Sequence, residues 1–198
     1  GDISGSWSGV RDLACAQRDK LLSGAINCFN DMDMLIVGMR GKGNVAVTGC
    51  TDEEYRTHFA LWSFMASPLI IGCDVRNIDE ESLKILKNKD IIRINQDEDR
   101  RLPLSLGGPA PFAFIGKNGY SLSRLLSDGS GAIGMFNMDD DTEISFQFSL
   151  YDVGLDKEHW GRTVLKELYT GEEIRPECGF VYAGVKPHCC KIWRLTLE

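Results

Sequence analysis

The stretch 51–74, TDEEYRTHFALWSFMASPLIIGCD, restricts the fold more than any other part of this chain. Thr51 and, three residues on, Glu54 have the spacing of a capping box, in which two side chains satisfy the orphan amides of a helix start. Tyr55, His58, Phe59, Trp62 and Met65 or Ala66 then recur at helical intervals, the core stripe of an amphipathic helix. Pro68 stops it. The run LIIGCD (69–74) is continuously apolar up to a terminal acid, as expected of a parallel strand buried on both faces. Asn77 and Glu80 repeat the capping spacing ahead of EESLKILKN, a second helix. Upstream, GAINCFND (24–31) reads as a short buried strand, and GMRGKGNVAVTG (38–49), with four glycines, as a long loop. Strand, helix, strand, helix is the repeating unit of an α/β barrel or a doubly wound sheet.

Near residue 100 the pattern changes. FAFIG, YSLSRLL, GAIGMFN, EISFQFSL, TVLKELY, FVYAGVK and CKIWRLTL are short, several alternate apolar with polar residues, and KNG, SDGSG and DDD separate them. Regularly spaced short strands with such turns predict an antiparallel sandwich. The chain therefore divides into an α/β portion, residues 1–100, and an all-β portion, residues 101–198.

Bulk properties narrow the function. A net charge of −7 argues against nucleic acid or an anionic membrane as partner. No apolar run approaches the roughly 20 residues of a membrane span. The opening GDISGSWSG lacks the basic and apolar regions of a signal peptide. Seven cysteines without a C-x-x-C motif read as reduced core residues, which points to the cytoplasm. The vicinal pair Cys189-Cys190 does not suit a zinc site, and three histidines, His58, His159 and His188, suit neither a metal centre nor a histidine-based triad. No metal is expected.

Asp31 and Asp33 stand directly before the apolar run Met34-Leu35-Ile36-Val37. A carboxylate beside a core is costly unless it is paired, hydrogen-bonded or in use. The residues alone leave two readings open, a loop that caps the next element and the rim of an active site.

A resemblance covers nearly the whole chain. NDMDMLIVG, TDEEYRTHFALWSFMASPLIIGCDVRN and NKDIIRINQDE resemble the C-terminal third of the barrel of glycoside hydrolase family 27, the α-galactosidases. The opening GDISGSW resembles that family's Gly-Asp-Ile stretch, and LSDGSGAIGMFN and ELYTGEE resemble its C-terminal β-sandwich. The implied fold is the C-terminal portion of a (β/α)8 TIM barrel followed by an antiparallel β-sandwich. The chain departs from the pattern at Phe29, where the family has Trp, and at Met32, where it has Pro. INQDEDRR lacks the usual Pro-Leu-Gly continuation, and the long MRGKGNVAVTGC loop suggests a bacterial subgroup with an altered rim.

The resemblance implies a retaining exo-α-galactosidase. It maps the catalytic acid/base onto Asp2, a substrate-holding carboxylate onto Asp33 and a pocket-lining side chain onto Met34. It implies a galactoside substrate, no cofactor, and the homo-oligomers that family members form. Asp31 is expected to bond loop backbone, Asp74 and Arg76 to fix the loop into the next helix, and His58 and Trp62 to pack in the core. Trp7, Trp160 and Trp193 are read as core or domain-interface residues rather than as sugar platforms. A complete barrel takes about 250 residues. The family's Lys-Tyr-Asp nucleophile strand has no counterpart here, so the expected partner is the N-terminal barrel portion, without which the chain is expected to be inactive. The competing classes are a non-catalytic carbohydrate-binding or assembly module, and a relative acting on α-N-acetylgalactosamine or β-arabinopyranose.

Overall fold

A computed structural model describes residues 1–17, 20, 28, 30–106 and 119–198. The strand expected at FAFIG, and residues 24–27 and 29 of GAINCFND, lie outside the described residues. The chain forms two compact units, Gly1–Gln96 and Asp97–Glu198.

In the first unit, strand β1 (Gly5–Ser6) leads into helix α1 (Trp7–Gln17), which buries Trp7, Val10 and Ala14 at i, i+3 and i+7. Strand β2 (Ala46–Gly49) pairs with β1 in parallel, Gly5 N donating to Val45 O at 2.7 Å. The glycine-rich stretch expected to be loop throughout therefore ends in a strand. Local composition hid it, because the pairing comes from a segment forty residues away.

Helix α2 (Asp52–Phe64) begins as its sequence requires. Thr51 Oγ1 accepts from Glu54 N, while Glu54 Oε2 accepts from Thr51 N at 2.7 Å. Tyr55, His58, Phe59 and Trp62 are buried along one stripe. Helix α3 (Glu80–Leu86) is capped by Asp79, whose side chain accepts from Ser82 N, and not by Asn77. The helix starts at Glu80 itself, so Asp79 stands at the cap position and Asn77, whose amide donates to Asp74, lies two residues upstream of it. Helix α4 (Lys89–Asn95) buries Ile91 and Ile94. Arg40 ties these helix starts together through ion pairs to Asp52 and Asp79, and Asp79 is held well below the usual carboxylate range, chiefly by that guanidinium.

The LIIGCD run pairs in parallel with residue 35, through Leu35 N to Ile70 O (2.7 Å) and Gly72 N to Leu35 O (2.9 Å). It is not buried on both faces, since Ile70 is 60% and Ile71 44% exposed. A parallel strand is covered on both faces only when helices and a second neighbour flank it; among the described residues this run pairs only with residue 35. The cysteines also depart from expectation. Cys28 and Cys178 are exposed and the other five half-buried, so none is fully buried, although Cys189 packs against the sandwich core.

The second unit is a β-sandwich. Its larger sheet has the order β3-β4-β5-β10-β7-β8, with β3 Leu104–Ser105, β4 Gly119–Leu125, β5 Gly131–Asn137, β7 Thr163–Glu167, β8 Glu173–Ile174 and β10 Cys190–Leu197. β6 (Ile144–Ser149) and β9 (Phe180–Val185) form the smaller. All described strand pairings here are antiparallel. Alternation places Ile144, Phe146 and Phe148 of β6 and Val181, Ala183 and Val185 of β9 against Ile133, Met135, Leu165, Trp193 and Leu195 of the larger sheet. A short helix α5 (Lys157–Trp160) lays Trp160 against Gly179, which stands at φ 74° and has no side chain to obstruct the ring.

Asn137 joins the two sheets. It is fully buried, its amide donates to Val185 O and Thr142 O at 2.8 Å each, and its Oδ1 accepts from Asp139 N at 2.8 Å. Replacing it strands the buried Val185 carbonyl and removes the bond to the partly buried Thr142 carbonyl. Asn137→Ala is expected to destabilise the sandwich by about 2–4 kcal/mol in urea unfolding followed by the Trp193 signal.

Candidate active site

The segment 31–37 is built around one unusual backbone conformation. Asp33 stands at φ 72°, a left-handed region that L-residues enter at a cost, aspartate among the least reluctant. Its neighbours hold it there. Asp31 Oδ1 accepts from Asp33 N (2.9 Å), and Asp33 Oδ1 accepts from the following Met34 N (2.6 Å). Trp62 Nε1 donates to Asp33 O at 2.8 Å. Asp31 thus works as a turn-former, bonding backbone as expected.

The other carboxylate oxygen makes the contact that defines the site. Asp33 Oδ2 accepts from Ile3 N at 2.7 Å, which places the residue next to Asp2 on the Asp33 side chain. Ile3 is buried, while Asp2 is exposed and its carboxylate has no partner among the described residues. Met34 follows half-buried, and a Cβ added at Gly72 would lie 2.6 Å from its sulfur. Gly72, at the end of the neighbouring parallel run, is therefore what gives the Met34 side chain its room. The arrangement joins three segments, residues 1–6, 31–37 and 70–74. Acids and a thioether at strand ends, beside an open carboxylate, can bind hydroxyl groups and exchange protons. Among the described residues no cluster of His, Cys, Asp or Glu is arranged to hold a metal ion.

Asp74 lies apart in chemistry. Arg76 binds both of its oxygens, Nε to Oδ1 at 2.8 Å and Nη2 to Oδ2 at 2.9 Å, and Asn77 adds a third bond. That guanidinium lowers Asp74 to about 2. The pair fixes the loop into α3.

His58 does more than pack. Its Nε2 accepts from Ile36 N at 3.1 Å, its ring meets Trp62 edge-on at 4.1 Å between centroids, and burial alone pushes its pKa down to about 3. Periodicity identified His58 and Trp62 as buried, yet not that each spends a ring nitrogen on the 31–37 backbone. Polar atoms on an otherwise apolar stripe were the available signal. Cys50, beside the start of α2, is pushed up to about 12 by burial and then by Glu54, and so remains a thiol.

Residues 1–97 match the family model described as alpha galactosidase A, and residues 121–195 the one described as the alpha galactosidase C-terminal beta sandwich domain. An α-galactosidase of Cyamopsis tetragonoloba is 30% identical over 203 aligned positions, covering 99% of this chain and 43% of the relative. A Bacteroides fragilis crystal structure, described as a candidate α-galactosidase/melibiase, superposes with a TM-score of 0.82 at 29% identity, over 99% of this chain and 41% of that one. An α-galactosidase from Saccharomyces cerevisiae shares the fold, with a TM-score of 0.76 at 18% identity, over 96% of this chain and 51% of that one. The chain belongs to the α-galactosidases of glycoside hydrolase family 27 and corresponds to their C-terminal part. Its first unit is the last portion of a (β/α)8 barrel, and its second is the family's β-sandwich. The chain spans between a fifth and somewhat over two fifths of the length of such curated relatives, 20% in one from Arabidopsis thaliana and 43% in that from Cyamopsis tetragonoloba.

The depressed histidine has a thermodynamic consequence. Between its ordinary value of 6.5 and about 3, the unfolded chain binds a proton at position 58 that the folded unit does not. Folded stability therefore falls as pH drops below 6.5 and recovers as it rises. From pH 6.5 to 4.5 the expected loss at this site is about 2 kcal/mol. His58→Gln keeps an acceptor without the titration, so its stability against pH, measured by urea unfolding, is expected to lack that component.

Proposed function

We propose that this chain is the C-terminal part of a retaining, exo-acting α-galactosidase that removes terminal α-linked galactose from oligosaccharides or glycoconjugates. The observation that carries the reading is the Ile3 N to Asp33 Oδ2 bond of 2.7 Å, which holds the segment bearing Asp2 to a carboxylate at a barrel strand end. In this reading Asp2 is the acid/base. It protonates the glycosidic oxygen as the bond to the anomeric carbon breaks, then takes a proton from the water that releases the sugar. Its exposure, and its lack of a partner among the described residues, leave it able to do both. Asp33 accepts hydrogen bonds from sugar hydroxyls through the lone pairs its two amide donors leave unused, and Met34 packs on the ring.

A retaining reaction needs a second carboxylate about 5–5.5 Å from the first, on the other face of the sugar. That nucleophile belongs to a barrel portion outside these 198 residues. The exposed Ile70 and Ile71 support the reading, since such a run seeks cover. No organic cofactor enters, because two carboxyl groups suffice. Seven cysteines without a disulfide suit the cytoplasm, and the long 38–49 loop suits a bacterial subgroup. The homo-oligomer rests on the family resemblance alone.

The test is complementation. The chain alone is expected to show no turnover of an aryl α-galactoside; mixed with or fused to the N-terminal barrel portion of the Cyamopsis tetragonoloba relative, it is expected to turn the substrate over. Asp2→Asn in the assembled enzyme should lose roughly a hundredfold to ten-thousandfold in kcat/KM, which reports the bond-breaking step, on an oligosaccharide. The loss should be smaller on a nitrophenyl glycoside, whose leaving group needs little protonation. Turnover by the isolated chain at the rate of a complete enzyme would overturn the fragment reading, and equal losses on both substrates would remove Asp2 from the acid role.

A further inference from the structure

Helix α2 and the residues just after it grip the 31–37 segment with side chains at three points. Met32 N donates to Ser67 Oγ (3.0 Å), Trp62 Nε1 donates to Asp33 O (2.8 Å), and Ile36 N donates to His58 Nε2 (3.1 Å). Trp62 and His58 lie one helical turn apart, are fully buried and meet edge to face. Neither is placed to touch a sugar. His58 Nδ1, moreover, is buried with no hydrogen-bond partner. An apolar side chain fills such a site without leaving a polar atom unsatisfied, so packing does not account for a histidine there. What the ring supplies is the Nε2 acceptor.

The grip acts on a conformation that does not hold itself. A non-glycine residue in the left-handed region persists where its surroundings over-determine it, and such residues gather at functional sites. In this conformation Asp33 has one carboxylate oxygen on Met34 N and the other on Ile3 N. We propose that Trp62 and His58 are positioning residues of the sugar-cleaving site: from behind, they lock the left-handed turn at Asp33, and through the Asp33 carboxylate they fix the segment that carries Asp2. The assignment rests on the α-galactosidase reading for its catalytic meaning, while the mechanical coupling is a property of this chain by itself. The route has three links, α2 side chains to the Asp33 backbone, Asp33 side chain to the Ile3 amide, and Ile3 to its neighbour Asp2. It explains how a helix behind the barrel wall governs an exposed residue at the start of the chain.

Amide hydrogen exchange by NMR on the full 198-residue chain tests the coupling. Trp62→Phe retains the apolar ring and removes the donor. It is expected to speed exchange at the Ile3 and Met34 amides at least tenfold, leaving Leu83 and Ile92, in α3 and α4, within twofold. His58→Leu should do the same, and His58→Gln, whose side-chain oxygen can accept from Ile36 N, should bring both amides back to within threefold of the original chain. Uniform acceleration across the unit, unchanged exchange at Ile3, or equal behaviour of the leucine and glutamine variants would each overturn the proposal. If Trp62→Phe does not fold, the histidine pair decides alone. In the complemented enzyme, Trp62→Phe is expected to lower kcat at least tenfold with KM changed less than threefold; an active wild type with an equally active variant again overturns it. A selective exchange response in a chain whose complemented form is inactive would support the lock and sink the α-galactosidase reading instead.

Discussion

The hydrogen bond from the Ile3 amide to the Asp33 carboxylate is the contact on which the first unit turns. It joins residues thirty positions apart and lies beside both parallel pairings, residues 5–6 with 46–49 and residue 35 with residue 71. The carboxylate reaches that amide from a left-handed backbone, and that backbone is held by an aspartate before it and an indole behind it. Local strain, a core helix and an exposed acid are thereby parts of one arrangement. A helix propensity or a strand pattern describes each part and none of the connections.

What was legible in the sequence follows from the range of the interaction behind each feature. The start of α2 could be read because a capping box closes within four residues and its apolar stripe repeats with every turn. The strands at 119–125, 131–137, 144–149, 163–167, 180–185 and 190–197 were legible for the same reason, alternation between marked turns. β2 was not, because parallel pairing is long-range and its stretch carries glycines at both ends. Asn77 has the capping spacing to Glu80, but the helix begins at Glu80 and Asp79 is its cap. The cysteines misled because an apolar neighbourhood in sequence is not burial in space. For the site, the acids at 31 and 33 were visible, and so was a backbone-bonding role for Asp31; the contacts of Asp33 were not, because one of the amides it meets belongs to residue 3.

The two units also differ in how completely they bury their apolar surface. The sandwich closes its own core between two sheets, with Asn137 at the end of β5 in the larger sheet donating to Val185 O of the smaller. The barrel portion leaves Ile70, Ile71 and Val75 exposed along a run whose composition suits a fully covered strand. Antiparallel sheets are stable with one wet face and parallel ones seldom are, so the same degree of exposure has different weight in the two units. In the first it marks a surface whose natural neighbour is further barrel.

Two aspartates of the first unit show how environment divides labour between like groups. Asp33 precedes and Asp74 follows the parallel Leu35–Ile71 pairing. Asp74 has a guanidinium across both oxygens and is lowered to about 2, a closed ion pair with its charge already answered. Asp33 has two backbone amides and, among the described residues, no cation. Amide donors orient a carboxylate without cancelling its charge, and each oxygen keeps a lone pair for a further donor. An oriented but unneutralised carboxylate is what a neutral polyol can bind, because hydroxyl groups bring donors and no charge to compete with an arginine. The same reasoning separates Asp2, which is exposed and has neither kind of partner among the described residues.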